Sequence, residues 1–155
     1  MTDTDPPKDA DNTLEPQRME PPTSKVSQPF WDATREKKLL LQHCEACDRA
    51  VWYPRVLCPH CSADGLTWRE ASGHGTIYAV SVQYRPGTPQ LKDRVPYAVV
   101  LVDLDEGVRI MSNVGGRVDE IEVGQAVQAA WEPLTDGRHL VVFERSSSNG
   151  TQSRA

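Results

Sequence analysis

Long apolar runs are missing from this 155-residue chain. None approaches the ~20 residues that cross a bilayer, which excludes a helical membrane span. The first residues, MTDTDPPKDADNTLEPQ, are acidic and lack the basic-then-apolar order of a secretory signal, so the expectation is a cytoplasmic protein. Apolar residues are scarce at 38%, aromatics reach only 6%, and the mean hydropathy is −0.54. Basic runs are absent as well: Lys and Arg number 17 against 22 Asp and Glu, for a net charge of −5. That balance argues against generic nucleic-acid binding, which depends on neutralising phosphates with cationic side chains. The sequence also has no GxSxG, no HExxH and no phosphate-cradling glycine motif. An independent enzyme therefore has no residue set behind it.

The apolar scarcity is local. Residues 1–28 hold Pro6, Pro7, Pro16, Pro21 and Pro22, an excess of acid and no aromatic, and residues 146–155 read SSSNGTQSRA. Neither segment can bury enough apolar surface to offset its ordering entropy, so both are expected to be disordered tails. All 4 Trp, 4 Tyr and 2 Phe fall in 29–145, whose composition is that of an ordinary soluble domain.

Within that region Pro29, Phe30, Trp31, Thr34, Lys37 and Lys38 suit a short helix with proline in its first turn. Leu39–His43 then reads as a strand leading into Cys44. Beyond the cysteines the signal is β. Tyr78, Val80, Val82 and Tyr84 alternate as one face, and 96–104 (PYAVVLVDL) is apolar on both faces. A turn at Asp105-Glu106-Gly107 leads to aligned Val108, Ile110, Ser112 and Val114, and the two runs read as a hairpin. Val127, Ala129 and Trp131 share a face, Thr135-Asp136-Gly137 turns the chain, and 139–144 follows, with a short strand around 67–71. Closely spaced strands without a long helix predict a mainly β fold, a small antiparallel barrel or sandwich.

The strongest signal is Cys44-Glu-Ala-Cys47 and Cys58-Pro-His-Cys61. Two CxxC knuckles let four thiolates converge on one tetrahedral ion, and a four-sulfur shell leaves no open position, so the ion is structural. Zinc is favoured; a single iron on the same sulfurs, disulfides, and a thioredoxin-type redox pair are the alternatives. Disulfides conflict with the expected compartment and the redox motif needs a βαβ setting that is absent. His60, inside the second knuckle, is a further donor left over once four thiols are present. Gly73-His74-Gly75 reads as a tight turn into a strand rather than a catalytic loop.

Two stretches are binding candidates. The loop 85–95 (RPGTPQLKDRV) brings Arg85, Lys92 and Arg94 against one acid, Asp93, and suits an anionic ligand or acidic partner. Between the knuckles, Trp52 and Tyr53 with Arg55 offer stacking and a fixed positive charge, fitting an adenine, a phosphate or a protein surface. The competing reading of Trp52 and Tyr53 is packing of the ribbon onto its neighbour.

The order Pro29-Phe30-Trp31, leucine-rich strand, CxxC, Tyr53-Pro54-Arg55, CxxC, Ser72-Gly73-His74-Gly75-Thr76-Ile77-Tyr78, Pro96-Tyr97 and Ile121-Glu122-Val123-Gly124 resembles the zinc-ribbon/OB-fold proteins catalogued as domain of unknown function thirty-five. The resemblance runs from about Pro29 to Arg145. It implies an N-terminal helix and lead-in strand (29–43), a rubredoxin-like zinc ribbon (44–66) and a five-stranded OB-fold barrel (67–145). It also implies a role: a non-catalytic partner of thiolase-fold or aldolase enzymes in acyl-CoA, lipid and sterol side-chain metabolism, stabilising the enzyme and helping to enclose the acyl-CoA. Trp52, Arg55, Arg85, Lys92 and Arg94 would then be acyl-CoA or partner contacts. Because thiolase-fold enzymes usually work as dimers, a heterotetramer follows. The other function consistent with these modules is single-stranded nucleic-acid binding. One departure is noted: the residues after the knuckles are Asp48 and Ser62, where such turns often carry glycine.

Overall fold

The computed structural model describes residues 20–146. The expected tails lie largely outside the described residues, at 1–19 and 147–155. Of residues 20–27, counted with the N-terminal tail from sequence, Glu20 and Pro21 are bonded to the folded part. Thr135 donates its backbone N–H to Glu20 Oε1 at 2.9 Å, and its hydroxyl reaches the same oxygen. Arg138, only 6% exposed, donates to Pro21 O at 2.9 Å and to Asp136 at 2.6 Å. A buried guanidinium needs acceptors, and this one recruits the incoming chain.

The helix α1 (Gln28–Arg35) has Pro29 in its first turn and buries Phe30 and Thr34, one turn apart on the same face. It ends where Lys37 takes a left-handed φ of 57°, with Lys37 N–H donating to Thr34 O and Lys38 N–H to Ala33 O. Thr34 stitches the helix to the last strand: His139 N–H donates to its hydroxyl at 3.2 Å, and the His139 ring reaches its carbonyl at 2.8 Å.

Two β units follow. In the first, β1 (Leu40–Cys44) is the middle of a three-stranded antiparallel sheet, flanked by β2 (Ala50–Val51) and β3 (Leu66–Glu70). The second comprises β4 (His74–Gln83), β5 (Tyr97–Leu104), β6 (Arg109–Val114), β7 (Ala126–Pro133) and β8 (His139–Arg145). These close into a barrel in the order β4-β5-β6-β8-β7, an OB-fold, with one parallel contact at Val114 and Phe143. The mainly β expectation holds, with a refinement. The strand near 67–71 pairs with β1, Leu40 opposite Glu70 through Cys44 opposite Leu66, so it belongs to the ribbon sheet.

Alternation sets the core. Along β5, Ala98, Val100, Val102 and Leu104 point inward and are buried, as are Val108, Ile110 and Val114 from the next run. On β4 the alternation breaks. Ile77 pairs with Val102 and Ala79 with Leu101, leaving Tyr78 as an extra residue at a bulge. Gly75 and Ile77 therefore face the core, Tyr78 is exposed, and Val80 returns to pack on the core. Tyr78 and Val80 do not share one face, contrary to the uninterrupted alternation in the sequence.

Gly75 sits where the two ladders on β4 meet, opposite Leu104 and Val127. A Cβ there would lie 2.6 Å from Asp103 O and 2.7 Å from a Val102 methyl. Gly75→Ala is therefore expected to destabilise the barrel by about 1–3 kcal/mol through overpacking. Thermal unfolding checks this; an unchanged midpoint would contradict the close approach.

Candidate metal centre

The two knuckles are built alike. Asp48 N–H donates to Cys44 O and Cys44 N–H to Arg49 O, both at 2.9 Å. In the second, Ser62 N–H donates to Cys58 O at 2.9 Å and Cys58 N–H to Ala63 O at 2.8 Å. Each turn requires a left-handed residue just after its second cysteine, and Asp48 (φ 56°) and Ser62 (φ 63°) occupy those positions. These are the two places where the sequence departs from glycine. Asp48 Oδ1 lies 3.2 Å from His43 Nε2, while Ser62 makes no side-chain hydrogen bond to a described residue.

Packed this way, the four free thiols converge. Cys44 Sγ lies 3.6 Å from Cys61 Sγ, Cys47 Sγ lies 3.7 Å from Cys58 Sγ, and all four fall within 4.8 Å of one another. Sulfurs about 2.3 Å from a tetrahedral ion stand about 3.8 Å apart, so the spacing fits one ion held by four thiolates. Cys44, Cys58 and Val51 are buried, with Cys47, Ala63 and Leu66 packed around them as a small core of their own. Among the described residues this is the one cluster of metal-ligating side chains that converges, and it contains no histidine. His60 is exposed beside Arg49, 3.5 Å from its guanidinium.

Crowding sets the acidities. Burial, then the neighbouring Cys44, Cys58 and Cys61 thiols, push Cys47 up to about 12. Burial also raises Cys58, but N–H donors from His60 and Cys61 outweigh it and bring the thiol down to about 7. Four thiolates at this distance ionise together only if a cation shares their charge.

The other candidate residues are dispersed over the two units. Trp52 packs edge-on to Phe30 at 5.2 Å between ring centroids, joining the ribbon to the helix, which is the packing role weighed against ligand stacking. Tyr53 stacks beside it at 5.0 Å but stays half exposed. Arg55 is exposed and its guanidinium pairs with no described residue; its backbone is gripped by the Gln42 carboxamide. Arg85 and Lys92 are exposed on the loop between β4 and β5. Arg94 is committed: it makes a bidentate pair with Glu132 at 2.6 and 3.1 Å, across a cleft of about 200 Å³ also lined by Tyr97, Asn113 and Val142. His74 is exposed at the start of β4, next to the turn at Gly73 (φ 76°). Sequence reasoning missed Gln42, whose only trace was a polar residue in a leucine-rich strand.

Comparison with known proteins matches both units. The family profile described as "ChsH2, rubredoxin-like zinc ribbon domain" covers residues 31–67, and "ChsH2, C-terminal OB-fold domain" covers 68–132. The chain is 36% identical over 116 residues to a probable enoyl-CoA hydratase alpha subunit of Thermomonospora curvata, covering 74% of this chain and 36% of that one. It is 35% identical over 95 residues to a DUF35 domain-containing scaffold protein of Methanothermobacter thermautotrophicus, covering 60% and 71%. It is 28% identical over 143 residues to a 3-oxo-4,17-pregnadiene-20-carboxyl-CoA hydratase alpha subunit of Mycobacterium tuberculosis, covering 82% and 44%. The chain thus spans well under half the length of the two hydratase subunits. Among solved structures, the Ltp2-ChsH2(DUF35) aldolase matches with a TM-score of 0.73 and 31% identity, over 81% of this chain and 98% of that one.

Ser62→Gly should relieve the left-handed strain and raise the thermal midpoint of the metal-loaded protein by a few degrees, equivalent to about 0.5–1 kcal/mol. Differential scanning calorimetry measures it; a lower midpoint would show that Ser62 is held there by something other than the turn.

Proposed function

The chain belongs to the DUF35 family, with the zinc ribbon and OB-fold of ChsH2-type proteins, and on that footing we propose that it is an accessory, non-catalytic subunit of a thiolase-like or aldolase-like enzyme acting on an acyl-CoA. The observation that carries this reading is the structural match: 81% of this chain aligns with 98% of a chain from the Ltp2-ChsH2(DUF35) aldolase. The relative named as a scaffold protein supports a partnering role, and the two hydratase alpha subunits support an acyl-CoA setting in lipid or steroid metabolism. In this division of labour the helix (Gln28–Arg35), the ribbon sheet with its knuckles (40–70) and the barrel (74–145) supply binding surfaces, while the partner supplies the reacting groups.

The metal is zinc, held by Cys44, Cys47, Cys58 and Cys61. Its contribution when bound is a structural cross-link of the two knuckles, on the order of 10 kcal/mol in comparable zinc-finger peptides. The four thiolates fill its coordination shell and leave it no place for substrate. Exposed Arg85 and Lys92, on the β4–β5 loop, are the cations available to the phosphates of a CoA. Arg94 serves the barrel instead, through Glu132. If the enzyme is a dimer, two copies of this chain complete a heterotetramer.

Co-expression with an aldolase subunit of the Ltp2 type from the same organism tests the reading. The two proteins are expected to co-elute from size exclusion, and the enzyme to be less soluble and less active alone. Separate elution with a fully active lone enzyme would refute it. Independently, Cys58→Ser should abolish stoichiometric zinc in elemental analysis and remove the ribbon's contribution to unfolding; retention of one equivalent would rule out the four-thiolate site.

A further inference from the structure

The tip of the ribbon exposes an apolar knob. Within five residues Tyr53, Val56 and Leu57 are 53%, 68% and 51% exposed, and Arg55 lies among them with its guanidinium unpaired by any described residue. The remaining large exposed apolar side chains are arranged differently. Tyr78 is covered by Arg109, 3.3 Å above its ring, which in turn is paired with Asp103; Tyr84, Met111 and Val123 are separated along the chain.

The knob is held rigidly. Gln42, in the central ribbon strand and 5% exposed, donates its amide to Arg55 O at 2.9 Å and accepts from Arg55 N–H at 2.7 Å. A buried carboxamide is costly unless both ends are bonded, and here both ends are spent on the backbone of an exposed loop. The clamp fixes the loop before any partner arrives, which removes ordering cost from association. The charge is equally local. Between exposed Asp48 and Asp64, residues 49–63 hold no Asp or Glu while Arg49 and Arg55 are exposed, in a chain of net charge −5. A preformed patch of tyrosine, arginine and aliphatic side chains has the composition of an interface anchor. The solved aldolase relative adds a constraint: 98% of its matched chain corresponds to the helix, ribbon and barrel described here, so a surface that meets an aldolase partner is sought on these three elements.

We propose that Tyr53, Arg55, Val56 and Leu57 form the docking surface by which this chain seats in an apolar, carboxylate-rimmed groove of its enzyme partner. The proposal rests on the accessory-subunit reading above. Tyr53, Val56 and Leu57 fill the groove, and Arg55 meets a carboxylate at its rim. The metal acts at a distance, by fixing the knuckles at both ends of the loop.

The test uses the full-length zinc-loaded chain and, as probe, an immobilised aldolase subunit of the Ltp2 type from the same organism. Val56→Asp with Leu57→Asp, and separately Arg55→Glu, are compared with Met111→Glu, a change at an exposed barrel residue. Zinc content is measured for each, and Arg55→Glu, altering only an exposed head group, stands even if the double variant loses metal. The expected result is wild-type binding by Met111→Glu and binding about 30-fold weaker or worse for the tip variants. If wild type binds and Arg55→Glu binds within about threefold of it, the docking surface is refuted while the accessory reading survives. If the wild-type chain does not bind the enzyme, both fall.

Discussion

Four sulfurs within 4.8 Å of one another repel when ionised, and they stay together as thiolates only around a shared cation. Most of the ribbon depends on that arrangement. A three-stranded sheet whose edge strand β2 has two residues is too small to hold itself, and its own core is only two cysteines, Val51 and the side chains around them. The metal closes two turns that are ten residues apart, and β1, which delivers Cys44, also delivers Gln42 to the loop between them. Coordination, sheet and displayed loop share one strand.

The barrel has the opposite economy. Its core is continuous, with Ile77, Val100, Val102, Val127 and Phe143 buried by ordinary alternation, and its surface charges are largely settled among themselves. Arg109 pairs with Asp103, Arg117 with Asp119, Arg145 with Glu120 and Arg94 with Glu132. Such pairs add little stability at an exposed surface. The ribbon tip, between Asp48 and Asp64, exposes Arg55 with no carboxylate in the loop itself. The helix links the two units through Trp52 on Phe30 at one end and His139 on Thr34 at the other.

Much of this was readable from residue order, because the relevant physics is local. Cys-x-x-Cys spacing points to the four clustered thiols, a run apolar on both faces located β5, and the alternation of Val108, Ile110 and Val114 located β6. What escaped is non-local. The bulge at Tyr78 depends on how β4 registers against β5, and β3 could not be assigned to the ribbon without knowing that it pairs with β1. Arg94 looked available for a ligand because its partner, Glu132, is 38 residues away. Gln42 looked like a polar interruption until its two bonds to Arg55 were seen. The segment near Glu20 has the composition of a tail, and only the buried Arg138 explains why Pro21 is held.

The central claim, one closed four-sulfur site that organises the ribbon, is tested most directly by X-ray absorption at the metal edge of the freshly purified protein. The account predicts zinc with a single shell of four sulfurs at about 2.3 Å and no nitrogen or oxygen ligand. A shell containing nitrogen or oxygen, fewer than four sulfurs, or no bound metal in folded protein would contradict it.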